Sequence, residues 1–175
     1  MSLLVLAYPQ IEKKDFEWIQ SFRAKHDERY FSIVNPHFTL VFPVFDTNEG
    51  DFIKHAEKIS KKFNEYYFVL RCAQIVKDSS SDYTDVFLIP EEGYRIFVKL
   101  HDALYTDLLA SHLRLDIPFI PHMGIANNID AVKCKKTADE INSKNIEIVG
   151  AVNKLDIVDY QKNSLKTIKE IYLKK

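Results

Sequence analysis

Two histidines of this chain sit in the same short frame. His37 lies in Pro36-His37-Phe38-Thr39-Leu40 and His122 in Pro121-His122-Met123-Gly124-Ile125, with proline, histidine and an aliphatic residue at matching offsets. Six prolines and six histidines in 175 residues leave about 0.2 Pro-His pairs to chance. The chain has two, 85 residues apart, which is half its length. Imidazole is the side chain whose ordinary titration spans neutral pH. One neutral ring can therefore take a proton from an attacking hydroxyl or water while a second, protonated, gives one to a leaving oxygen. Along a strand, positions i and i+2 share a face, which puts Thr39 beside His37, where its hydroxyl can donate to a phosphoryl oxygen as charge develops. Two such strands facing one cleft would make a phosphodiester-cleaving device that needs no metal.

Those histidines need elements to hold them, and the pattern of apolar residues supplies candidates. Leu3 to Tyr8 reads as a buried strand. Glu12 to His26 reads as a helix with Phe16, Ile19 and Phe22 inward, and Phe38 to Phe45 as the strand that carries Thr39. Asp51 to Asn64 reads as a helix on the stripe Phe52, Ala56, Ile59 and Phe63. Strands Tyr66 to Val76 and Tyr83 to Ile89 follow, joined by the polar turn Lys77-Asp78-Ser79-Ser80-Ser81-Asp82. Glu91 to Leu109 reads as one long helix with Tyr94, Phe97, Val98, Leu104, Tyr105 and Leu108 inward. The run from Asp116 to Asn127 reads as a proline-marked loop leading into the strand of His122 and Gly124. Asp130 to Lys144 reads as a helix, Ile146 to Asp159 as a single strand, and Leu165 to Leu173 as a final strand through its β-branched content. Each Pro-His pair thus opens a strand that follows a helix. This is the pattern of two similar α/β lobes, each donating one histidine from the same place.

Composition bounds what these lobes can do. One domain of 175 residues can bury a core without staples. Its 24 basic and 25 acidic residues nearly cancel, so no overall field exists to grip long duplex nucleic acid, whereas a nucleotide or an RNA end needs only a few local donors. Cys72 and Cys134 have no CxxC partner and read as small buried hydrophobes in a reducing compartment. No run reaches the roughly 18 apolar residues of a membrane span, and Leu3 to Pro9 is too short and lacks the basic flank of a signal peptide. The expectation is a cytoplasmic monomer with no membrane contact.

A Pro-His frame in each lobe, His-x-Thr in the first and its counterpart His-x-Gly in the second, each starting a strand of a small α/β protein, resembles the paired His-x-Thr/Ser motifs of the two-histidine (2H) phosphoesterase superfamily. Its members include the bacterial RNA 2′,3′-cyclic phosphodiesterases, also known as 2′-5′ RNA ligases. The order β-α-β-α-β-β-α-β-α-β-β covers nearly the whole chain and matches that fold, and Pro118-Phe119-Ile120-Pro121-His122 is similar to the lead-in of the second motif. The resemblance implies an α/β (α+β) domain spanning residues 1–175. Its two intertwined lobes would each have a mainly antiparallel sheet with helices outside, around a central cleft. It also implies an enzyme with no cofactor that hydrolyses or transfers 2′,3′-cyclic or related phosphodiesters on nucleotides or RNA ends. His37 and His122 would be the acid–base pair and Thr39 a phosphate ligand. The resemblance does not fix which histidine is acid and which base; His122 is favoured to activate the nucleophile.

The chain departs from the family in two places. Gly124 stands where the second threonine or serine belongs, so that a backbone N–H must reach the phosphate instead. Asn127 and Asn128 stand where many members carry a basic residue. Both departures weaken oxyanion stabilisation and keep a second expectation open, a degenerate member that binds nucleotide or RNA ends with little turnover. Tyr8, at the end of the first strand, is either a core residue or the flank of a bound base. His26, His55, His101 and His112 read as structural or surface residues, and no grouping has metal-ligand spacing.

Overall fold

The computed structural model describes residues 1–175. The chain folds into two antiparallel sheets with four helices, and it changes sheet repeatedly. β1 (Leu3–Ala7) belongs to the first sheet, and a two-residue strand β2 (Gln10–Ile11), just past Pro9, already belongs to the second. Then come α1 (Lys13–His26), β3 (Phe38–Val44), α2 (Glu49–Ser60), the hairpin β4 (Tyr66–Lys77) and β5 (Thr84–Glu92), and α3 (Tyr94–Leu104). β6 (Met123–Asn128), α4 (Ala131–Asn142), β7 (Ile148–Val152), β8 (Lys154–Gln161) and β9 (Ser164–Tyr172) complete it. The first sheet runs β3-β1-β8-β9 and the second β2-β7-β4-β5-β6. Each sheet contains strands from both halves of the chain. The α/β (α+β) expectation of two mainly antiparallel sheets around a central cleft therefore holds, with lobes interleaved along the sequence.

Several boundaries move for identifiable reasons. The stretch 146–159, expected as one strand, is two: β7 pairs with β4 in one sheet and β8 with β1 in the other, and the chain crosses between them at Asn153. The expected helix 91–109 starts only at Tyr94, because Gly93 turns the chain in the left-handed region at φ 84°. It ends at Leu104, and a 3-10 turn over Asp107–His112 then buries Leu109 in place of Leu108. On α1, Ile19 is buried with Arg23, whereas Phe16, expected inward, is 37% exposed.

One face of each sheet carries the core. Phe38 meets Phe68 and Phe97 with centroids 5.1 and 4.3 Å apart, which seats α3 on β3. α4, capped by the Asp130 carboxylate on the Val132 and Lys133 N–H groups, packs Cys134, Ala138 and Ile141 on the second sheet. β5 alternates accordingly, with Thr84, Val86 and Leu88 buried on the core face. Asp85 and Phe87 turn the other way. β3 is an edge strand whose free backbone groups are taken up by α3: His101 Nδ1–H donates to the Leu40 carbonyl (2.9 Å), and Phe42 N–H donates to the Tyr105 hydroxyl (2.9 Å). The strand bearing Thr39 is therefore fixed on both sides, and His101 is structural, as expected. No helix is long and apolar enough to cross a membrane.

Candidate active site

The faces turned away from the core line one cleft of about 510 Å³. His37, Thr39, His122 and Gly124 all lie on it. The two histidines occupy the residue just before β3 and the residue just before β6, and each is held by the same local bond. His37 Nδ1 donates to the carbonyl of Asn35 (2.8 Å), and His122 Nδ1 donates to the carbonyl of Ile120 (2.6 Å). A carbonyl only accepts, so this bond places the proton of the neutral ring on Nδ1 and leaves the Nε2 lone pair free. The intervening residues, Pro36 and Pro121, have a fixed φ and help hold this i to i−2 geometry.

Each ring also has a support. His122 stacks on Phe87, centroids 3.6 Å apart and 15° from parallel. His37 is braced through its loop: Asn35 Oδ1 accepts from Gln20 Nε2 (3.3 Å), and Gln20 Oε1 accepts from Arg23 Nη1 (2.9 Å). Burial in the cleft wall disfavours the charged form and pushes both imidazoles down to about 4, with the neighbouring His122 and Arg23 lowering His37 further. Both rings are neutral at pH 7 before anything binds.

Thr39 lies two residues along β3 from His37, and Gly124 two residues along β6 from His122, opposite Phe87. A Cβ placed on Gly124 would have Phe87 Cε1, at 3.9 Å, as its nearest neighbour. No loop packs against that backbone, so the missing hydroxyl is not enforced by crowding. Tyr8 stands apart from the cleft lining. Its ring is 6.1 Å from His37 and packs with Leu6, Val34 and Val158, and burial pushes its hydroxyl up to about 12. That placement packs Tyr8 beside the cleft wall, next to His37.

The wall also holds a cation that composition does not reveal. Arg23 is only 2% exposed, and its Nε and Nη2 reach Asp27 Oδ2 at 3.0 and 2.9 Å. Asp27 Oδ1 accepts from the Tyr30 N–H (2.9 Å) and from Asn127 Nδ2 (2.6 Å). Asn127 faces the cleft because β6 carries an extra residue, Ile125, between the pairs Gly124–Phe87 and Ala126–Val86. At the point of β6 where the resemblance leads one to expect a basic side chain, this chain has an asparagine tied to a carboxylate that holds an arginine from α1. The trace of it in the sequence is Ile19, Arg23 and Asp27 at i, i+4 spacing on one helix face.

Solved structures share this fold. E. coli LigT in its apo form superposes with a TM-score of 0.57 at 17% identity, over 99% of this chain and 98% of that one. TT0787 of Thermus thermophilus gives 0.63 at 14% identity, with the same coverage. Kluyveromyces marxianus Usb1 gives 0.52 at 9% identity over 95% and 97%. E. coli LigT has also been solved complexed with 3′-AMP, ATP, NADP+ and phosphate. At these identities the likeness is one of fold, and no curated protein matches the chain. The sequence model of one family does match, over residues 10–164, so the chain belongs to the 2′-5′ RNA ligase superfamily.

Proposed function

We propose that the protein is a phosphodiesterase that opens 2′,3′-cyclic phosphates, or transfers closely related phosphodiesters, on nucleotides or RNA ends. The observation that carries this is the repeated histidine device: two rings, one from each sheet, each braced through Nδ1 to the i−2 carbonyl, both facing one cleft.

The chemistry follows from that arrangement. Water attacks phosphorus and gives its proton to Nε2 of one imidazole as the new P–O bond forms. The bond to one ribose oxygen breaks, and that oxygen takes a proton from Nε2 of the other ring, leaving a phosphomonoester. The second ring must first be protonated, although both rest neutral. A bound anionic phosphate restores that proton, because a negative charge within a few ångströms favours the imidazolium. Thr39 Oγ is placed to donate to a non-bridging oxygen. Nothing in these steps requires a metal or a cofactor.

The cleft suits a short substrate. Its charged lining comprises Arg23 and Lys77 against Asp27, Asp78 and Asp85, which offers no basic track for a long strand. Free thiols at Cys72 and Cys134 fit the cytoplasm, where we place the protein as a monomer.

The test is hydrolysis of the four nucleoside 2′,3′-cyclic phosphates with and without excess chelator. Turnover is expected to survive the chelator and to fall about 10²–10⁴-fold in His37→Ala and His122→Ala, with melting preserved. Activity lost to chelator and restored by a divalent ion would overturn the metal-free mechanism. Tight nucleotide binding without turnover would favour the degenerate reading that Gly124 keeps open.

A further inference from the structure

The cleft's three carboxylates are not equivalent. Asp27 accepts from Arg23, from the Tyr30 N–H and from Asn127. Asp78 accepts from Arg29 (2.7 Å), from the Ser80 N–H and hydroxyl, and from the Ser81 hydroxyl. Asp85 makes no hydrogen bond and no ion pair, and the charges around it act only at a distance. Those charges are Arg29 and Asp27 from α1 and the loop after it, and Lys77 and Asp78 from the end of β4. Arg29 is already engaged: it is bonded to Asp78 and lies over the rings of Tyr30 and Tyr83 at 4.8 and 4.9 Å. A half-buried carboxylate with no donor is unfavourable to maintain, and burial pushes Asp85 up to about 6.

Its position says what would complete it. Asp85 is two residues along β5 from Phe87, on the same face, a separation of about 7 Å. Phe87 is the residue on which His122 stacks. A group held at Asp85 therefore sits about one nucleoside's reach from the phosphate between the histidines. Tyr30 and Tyr160 line the same stretch of cleft, and the Tyr30 phenol senses both Tyr160 and Asp85. Two tyrosines lining the cleft together with a lone acceptor pair suit a flat heterocycle with adjacent N–H donors.

Building on the phosphodiesterase assignment, we infer that Asp85 reads the base of the substrate and selects guanine. A carboxylate accepts from two neighbouring donors at once, and guanine presents N1–H beside the N2 amino group. Adenine and cytosine each place a ring nitrogen acceptor beside the amino group, and that lone pair opposes an ionised carboxylate. Uracil offers a single N–H between two carbonyls. An asparagine in the same place presents one acceptor and one donor, the complement of adenine.

The experiment compares kcat/KM for guanosine and adenosine 2′,3′-cyclic phosphates at pH 8, where Asp85 is ionised. One two-point base contact discriminates by about tenfold to a hundredfold, so wild type should favour guanosine by that factor. Asp85→Asn should reverse the preference, and Asp85→Ser, a second variant in case the first folds poorly, should level it. A residue of merely structural importance would lower both rates and leave their ratio alone. A guanosine preference that persists in Asp85→Asn and Asp85→Ser, or no preference in wild type, overturns the assignment. Should wild type open no cyclic phosphate, the phosphodiesterase proposal fails separately. Base selection is then read by calorimetry with guanosine and adenosine 3′-monophosphates, where equal affinities would overturn the role of Asp85.

Discussion

Restoring the hydroxyl that Gly124 lacks should raise catalysis, and the structure says why the change is tolerated. Gly124 lines the cleft, two residues from His122 as Thr39 is from His37. Its backbone is outside the left-handed region, where among the glycines only Gly93 lies. Its Cβ position meets nothing closer than Phe87 Cε1 at 3.9 Å, an ordinary contact. Gly124→Ser therefore adds a donor without strain, and replacing glycine inside a strand also removes an entropic penalty of about 0.5–1 kcal/mol. One hydrogen bond to a charged oxygen is worth about 1.5–3 kcal/mol. If the bond forms fully only as charge builds on the phosphoryl oxygens, kcat/KM for a 2′,3′-cyclic nucleotide should rise about tenfold to a hundredfold. The gain should appear in kcat more than in KM. Thr39→Ala, measured in both backgrounds, completes the cycle: with a second donor present, losing Thr39 should cost less than it does in wild type. A Gly124→Ser protein that melts normally yet is slower, together with a Thr39→Ala that changes nothing, would refute the phosphate-hydroxyl assignment for both positions.

Three further outcomes follow from the same wall. With both free imidazoles near 4, and one required neutral while its partner is charged, the kcat/KM profile should be a bell whose maximum lies well below pH 6.5; a maximum at or above pH 7 would show that the rings are not held neutral. The same depression acts on stability. The unfolded chain binds protons at these histidines between pH 6.5 and about 4 and the folded chain does not. Stability is therefore fully present above pH 6.5 and falls by up to about 3 kcal/mol per ring as pH drops through that window. Urea unfolding at pH 7 and pH 5 should show the loss, and His37→Gln or His122→Gln should reduce it. Arg23→Met leaves Asp27 as a buried, uncompensated carboxylate and should lower stability by about 3–5 kcal/mol, whereas a change below 1 kcal/mol would mean that the pair is solvated.

What the sequence disclosed of the fold was what local patterning can carry. The His37 and His122 frames, the hairpin turn after Val76 and the stripes of α2 and α4 are encoded within a few residues of themselves. The failures lie where a tertiary partner decides. Between Ile148 and Gln161 the sequence has lone Gly150 and Asn153 but no turn cluster, so periodicity does not show that the chain leaves one sheet for the other at Asn153. β2 is two residues long and exists only because β7 lies beside it. Leu109 and not Leu108 is buried because the chain tightens to a 3-10 turn after Thr106, which shifts the phase of the stripe.

The site divides in the same way. The histidine pair proposed as catalytic can be read from sequence because each ring is braced by its own neighbour two residues back, so the whole device fits within a Pro-His frame. Arg23 and Asp85 cannot be read that way, since their character comes from what is opposite them. Arg23 looks like a surface residue of an amphipathic helix until Asp27 and Gln20 surround it and Asn127, brought round by the bulge at Ile125, closes the group from β6. Asp85 looks like one more acidic residue of a hairpin until Arg29 and Asn127 beside it are found bonded to other carboxylates. The two losses noted on β6, the hydroxyl at Gly124 and the base at Asn127, therefore have different standing. At Asn127 the position is filled by a side chain tied through Asp27 to Arg23, a cation already paired with that carboxylate. Nothing replaces the hydroxyl at Gly124, and for that reason its restoration is the substitution expected to raise the rate.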